Sequence, residues 1–224
     1  MSRKLFALLL PFGFSLMGLI ACQAIFDQPE KTGLLEETST PQAIIQIPLT
    51  EGGNSQFTYY LSPLGSDQND GTTLATAFAT LGHALQVAQP GESIGVLPGT
   101  YVQGAAAEGI GSATAPILIQ GVEPTPVFDG RRTITIGLWC TQCVNLVVDN
   151  LAFTNYTDAG IGVLSSTQIT MQNLVVYENG FAAQLVGWGF EGYGIDVDSS
   201  TGIDILNNHV YHNGPNPRPF GGLG

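Results

Sequence analysis

The chain has 224 residues, enough for one domain of ordinary size with a sizeable core. Its 44% apolar content, 11% charged residues and 29 glycines describe a β-rich, turn-punctuated protein and exclude a disordered one. Beyond Cys22 four cationic side chains, Lys31, Arg131, Arg132 and Arg218, stand against all 18 acids, which argues against phosphate-backbone binding and leaves no nucleic acid among the expected partners.

In chain order, "MSRKLFALLLPFGFSLMGLIAC" has a short basic start, an apolar run and a small residue before Cys22, the layout of a secretory signal. Leu19-Ile20-Ala21-Cys22 resembles a bacterial lipobox. The resemblance implies cleavage before Cys22, lipidation of that cysteine, and a bacterial envelope protein held to the outer membrane or cell surface. The alternative is an ordinary signal with an incidental cysteine. From Gln23 to about Phe57 the text is polar, acidic and without sustained periodicity, and reads as a flexible tether. The folded domain is then expected over 58–224.

In "SDQNDG", Ser66 to Gly71, the oxygen donors Asp67, Asn69 and Asp70 read as a plain turn, with a calcium loop as the weaker alternative. Next, "TLGHALQVAQPGE" places Leu81, Ala84, Leu85 and Ala88 on one helical face, with Thr80 as N-cap and Pro90-Gly91 as the stop. This predicts a helix over about 80–89, capping a stack of coils that starts near residue 93.

The coils themselves are legible because the chain repeats itself. "GIGVLSSTQITMQN" from Gly160 returns at an offset of 34 as "GIDVDSSTGIDILN" from Gly194, with 8 identities in 14 positions. A fainter copy lies 23 residues upstream, at Gly137 to Asn150. Self-similarity at this period marks a solenoid. Apolar alternation at Ile161/Val163, Ile169/Met171 and Leu174/Val176 gives three short strands per turn, hence an all-β, three-stranded parallel β-helix. A leucine-rich repeat would place a helical segment where this chain is β-branched and glycine-rich. One strand is expected to recur as Ile94/Val96, Ile117/Ile119, Leu146/Val148, Ile169/Met171 and Ile203/Ile205. Leu138, Cys140, Ile161, Val163, Ile195 and Val197 are expected to face inward in rows. Asn150, Asn173 and Asn207 should stack at one left-handed turn.

Tyr59 to Tyr101 and Pro116 to Gly130 resemble the opening of bacterial right-handed parallel β-helix proteins of the pectate-lyase-like superfamily. The resemblance lies in Ser-Pro-x-Gly-Ser-Asp, Phe-Ala-Thr-Leu, Pro-Gly-Glu and Pro-Gly-Thr-Tyr, with Ala77 where proline is common and Glu92 where Asp is common. It implies the fold and leaves the activity open, since the scaffold carries lyases, hydrolases and proteins without known catalysis. Lyases of the superfamily typically use a Lys or Arg base with Ca²⁺ held by acids. This chain has no lysine after Lys31, so a lysine-dependent mechanism has no residue to land on.

Other chemistry-bearing residues read as structural, with Asp149, Asp158 and Asp204 expected at turns or on the solvent face. Arg131 and Arg132 after "FDG" are expected as turn or surface cations. His209 and His212 are three apart, which on a strand points them to opposite faces and disfavours a metal pair. Cys140 and Cys143 of "CTQC" fall in register with Val163 and Ser166, so separate core and turn roles are expected, with a local disulfide as the alternative an oxidising compartment allows.

The candidate functional face comes from two differences between the copies. Asp196 and Asp198 replace Gly162 and Leu164, and the second copy is preceded by 11 extra residues in "GFAAQLVGWGFEGYG", which carries Phe181, Trp188, Phe190 and Tyr193. The aspartates should point outward in the row of Trp139. Aromatic faces stack on sugar C–H faces and adjacent carboxylates bind hydroxyls or Ca²⁺, so Trp139, Trp188, Phe190 and Tyr193 are the expected polysaccharide-binding residues, the alternative for the loop aromatics being a hydrophobic lid folded over the coil. Asp196 and Asp198 are the candidates for catalytic carboxylates or for a Ca²⁺ site. The competing expectation is a non-catalytic structural or adhesive solenoid. The chain closes on "FGGLG" without a polar capping segment, so the sequence is expected to be partial.

Overall fold

Apolar side chains at every second position of short β-branched runs can be buried only if the runs stack, and stacking is what the chain does. The computed structural model describes residues 56–180 and 192–214. Its strands are β1 (Tyr59–Leu61), β2 (Ser93–Val96), β3 (Thr100–Tyr101), β4 (Ala105–Glu108), β5 (Ile117–Gly121), β6 (Val127–Asp129), β7 (Ile136–Thr141) and β8 (Val144–Asp149). They continue as β9 (Ala152–Thr154), β10 (Ala159–Leu164), β11 (Thr167–Gln172), β12 (Val175–Tyr177), β13 (Tyr193–Asp198), β14 (Thr201–Leu206) and β15 (His209–Tyr211). All pair in parallel, in three sheets ordered β1-β2-β5-β8-β11-β14, β3-β6-β9-β12-β15 and β4-β7-β10-β13. Each coil visits the three sheets in turn, which is a right-handed parallel β-helix.

The register matches the repeat over most of its length. Ile117 pairs with Leu146, Leu146 with Ile169 and Ile169 with Ile203. One step is corrected: Ile94 pairs with Ile119, not Ile117. A slip of two residues keeps every side chain on its face, so the alternation could not reveal it. Sheet one also begins earlier than expected, because β1 precedes the helix and pairs with β2.

Leu138, Cys140, Ile161 and Val163 are buried as expected. Ile195 is half-buried and Val197 is 38% exposed, although both keep the expected register opposite Ile161 and Val163. Both lie on β13, the outermost described strand of its sheet, where inward side chains have no described coil above them. Inside the stack, Tyr101, Phe128 and Phe153 form a continuous aromatic column with centroids 4.9 and 5.2 Å apart.

The helix α1 (Leu81–Val87) is shorter than the range expected, and it buries Leu81, Ala84 and Leu85. Thr80 caps it, its Oγ1 accepting from His83 N at 3.2 Å. Asp67 in turn accepts from Ala79 N, Thr80 N and Thr80 Oγ1 at 2.9, 2.9 and 2.7 Å. Burial pushes the Asp67 carboxyl up, but the hydrogen bonds from Thr80 and Ala79 outweigh it and hold the group below the usual carboxylate range. Asp70 accepts from Thr72 and Thr76, so both carboxylates of "SDQNDG" tie down a turn. Phe57, which the sequence places at the end of a tether, is 3% exposed and packs against Tyr60 beneath Gly95.

The turns carry the second half of the folding code. Asn150, Asn173 and Asn207 all adopt left-handed backbone, at φ 51°, 54° and 54°. Their side-chain amides do not bond one another: Asn150 reaches Gly121 O and Asn173 reaches Asp149. The amide ladder lies instead at the next corner, where buried Asn179 accepts from Tyr156 N and donates to Phe153 O and to Asn213 Oδ1. Cys140 and Cys143 are joined in a disulfide, correcting the expectation of separate roles. Both positions were placed properly, one in the core row and one at the turn, but a Cα separation of 5.9 Å lets the two thiols meet. Cys143 N still donates to Ser166 Oγ, and Ser166 N to Ser200 Oγ, so the turn column continues above the disulfide.

Candidate functional site

The third sheet, β4-β7-β10-β13, presents the face that the sequence singles out. Cross-strand pairing places Ala106, Trp139, Gly162 and Asp196 in one outward row, and Glu108, Thr141, Leu164 and Asp198 in the next. A further cross-strand row holds Ile136, Ala159 and Tyr193, of which Ala159 is buried and Tyr193 exposed.

Trp139 can lie where it does because residue 162 has no side chain. A Cβ on Gly162 would sit 2.1 Å from both Cε3 and Cζ3 of the indole, so the six-membered ring occupies the space a side chain there would need. The indole thus reaches across the neighbouring strand toward Asp196, half-buried rather than covered. On its other side Trp139 forms one wall of a groove of about 470 Å³, lined also by Leu85 and Gln86 of α1 and by Ala106, Glu108, Ile110 and Thr141.

Asp196 is half-buried and Asp198 exposed, both on the outward side of β13. Burial, and then the neighbouring Asp198, push the Asp196 carboxyl above the usual range. A third carboxylate joins them. Asp158, just before β10, is raised by burial and then by the charge of Asp196. Sequence reading placed Asp158 among turn residues, and its link to Asp196 runs between coils, through the pairing of Tyr193 N with Asp158 O at 2.9 Å. The one signal available was its place two residues before Gly160, the start of the repeated segment.

Of the expected residues, Trp139, Asp196 and Asp198 share this face and Tyr193 lies at the start of β13, while Trp188 and Phe190 lie outside the described residues, as do Cys22 and Arg218. No group of three or more His, Cys, Asp or Glu side chains among the described residues is placed to hold a metal ion. Arg131 and Arg132 are left-handed turn residues, with carboxylate neighbours in Asp129 at 3.0 Å and Glu178 at 3.9 Å. His209 lies exposed on β15 and His212 in a left-handed turn, and both rings pack on Tyr211.

No protein family's profile matches the chain, and no curated protein matches it. Among solved structures it is similar to a rhamnogalacturonan lyase, with 18% identity, a TM-score of 0.44, and coverage of 67% of this chain and 56% of that one. It is also similar to pectate lyase Pel9A, with 19% identity, a TM-score of 0.44, and coverage of 65% of this chain and 46% of that one. The chain therefore spans about half the length of the structures it matches. The parallel sheets and the single α-helix among the described residues agree with the β-helix architecture that the sequence resemblance implies.

Proposed function

We propose that this chain is an envelope-anchored β-helix that binds polysaccharide along the outer face of β4-β7-β10-β13. The observation that carries the reading is Trp139, seated over Gly162, in register with Asp196 and forming a wall of the groove beside α1. An aromatic ring next to outward carboxylates is suited to a sugar, whose C–H face stacks on the indole while its hydroxyls donate to the acids. The groove and the two aspartates lie on either side of the indole, so a bound chain would run across the strands.

Anchoring through lipid on Cys22 belongs to the same proposal. It is supported by the basic-apolar-cysteine start and by the Cys140–Cys143 disulfide, which suits an oxidising compartment outside the cytoplasm. If the face also performs hydrolysis, Asp196 and Asp198 are the residues to carry it. They sit on the same side of one strand, and the raised Asp196 is the more suited to hold a proton for a leaving oxygen.

The test is affinity electrophoresis of the full chain through gels containing soluble polysaccharides, comparing wild type with Trp139→Ala and with Tyr177→Ala on the second sheet. Retardation that Trp139→Ala abolishes and Tyr177→Ala leaves intact supports the reading. No retardation in any gel, or equal loss in both variants, sinks it.

A further inference from the structure

The distribution of charge over this face selects the class of glycan, an inference that rests on the glycan-binding reading above. Acids stand on both outer strands of the face, although the row of Trp139 itself ends in Ala106 on β4. Glu108 lies on β4 beside the groove, and Asp196 and Asp198 lie on β13, with Trp139, Gly162 and Leu164 between them. At about 4.8 Å per strand the acidic ends are about 14 Å apart, a span of two or three sugar rings. A ligand that covers Trp139 and runs across the strands therefore lies between negative groups.

A polyuronate carries a carboxylate on each ring and needs cations opposite. The two cationic side chains among the described residues, Arg131 and Arg132, sit at the corner after β6 and have Asp129 and Glu178 as neighbours. Apart from Glu108, the polar side chains that line the groove are neutral ones, Gln86 and Thr141, which hydrogen-bond hydroxyls as readily as charged groups.

We infer that the ligand of this face is a neutral, hydroxyl-rich polysaccharide, and that polyuronates are turned away by charge. After burial, which raises both carboxyls most, Asp158 is pushed up by Asp196 and Asp196 by Asp198, so negative charge is already crowded at the β13 side of the face.

The experiment uses the full chain at neutral pH and low salt, where exposed charges are least screened. Binding is measured to xylan, galactomannan and mixed-linkage β-glucan, and to polygalacturonate, each with EDTA and with added Ca²⁺. The expected result is binding to at least one neutral polymer, unchanged by EDTA, and none to polygalacturonate under either condition. Binding to polygalacturonate as tight as to any neutral polymer overturns the inference and leaves the glycan-binding reading standing. Binding to no polymer of either kind removes both. The double substitution Asp196→Asn and Asp198→Asn should bring binding to polygalacturonate into the measurable range, and the absence of any gain would also overturn it.

Discussion

Replacing Gly162 by alanine tests the Trp139 platform without touching the tryptophan. The added methyl would lie 2.1 Å from two atoms of the indole, whereas ordinary contact begins at 3.4 Å, so the ring has to shift by more than an ångström. Because the indole is half-buried, it can turn away at a cost of about 0.5–1.5 kcal/mol for an unfavourable side-chain angle. The backbone at residue 162 is not in the left-handed region, so alanine is tolerated there and returns about 0.4–1 kcal/mol by restricting the unfolded chain. The two effects nearly cancel, and Tm should stay within about 4 °C of wild type. Loss of one aromatic contact with the ligand, worth about 0.5–1.5 kcal/mol, lowers affinity about two- to tenfold. The chain has two tryptophans, so in a Trp188→Phe background the emission reports Trp139 alone. Calorimetric titration with a binding oligosaccharide and the emission maximum are read together. A Gly162→Ala protein with unchanged emission and unchanged affinity would refute the reasoning.

Other parts of the structure make separate commitments. Asn179→Ala leaves Tyr156 N without its acceptor in a buried corner and should cost about 2–3 kcal/mol, seen as a fall in Tm of about 5–10 °C. Cys140 and Cys143 should resist alkylation until reduced, and reduction should cost about 2 kcal/mol, since the disulfide closes only a short loop. Asp158 and Asp196 have folded-state carboxyls raised above their unfolded values, so their protonation favours folding, and that contribution is lost as pH rises through the folded values. Asp158→Asn or Asp196→Asn should therefore raise Tm at neutral pH, by up to about 2 °C at these partly exposed sites, and have no such effect in acid.

How far the sequence reached depends on which interactions have a period. The coil fold was legible because inward rows such as Leu138, Ile161 and Ile195 repeat, and because left-handed corners select Asn at 150, 173 and 207. The cap helix was legible through Thr80 and its apolar face, but not the anchoring of Thr80 by Asp67 from 13 residues away. The Asn179–Asn213 ladder is foreshadowed by "YENG" and "YHNG" at the same offset of 34, but a repeat does not record which backbone groups of other coils the two amides bond. At the candidate site, register was enough to put Trp139, Gly162 and Asp196 in a row. The charge coupling of Asp158 to Asp196 and the groove against α1 arise between coils and between elements, where no local pattern records them.

The claim at the centre is that glycan meets the outer face of β4-β7-β10-β13. Its most direct test is amide and indole chemical-shift mapping of the isotope-labelled chain during titration with a neutral oligosaccharide that binds it. The prediction is that shifts concentrate on Trp139, Gly162, Leu164 and the strand from Tyr193 to Asp198, and spare Val175 to Tyr177 on the second sheet. Saturable binding whose shifts fall on the second sheet, with the Trp139 indole unmoved, would contradict the account.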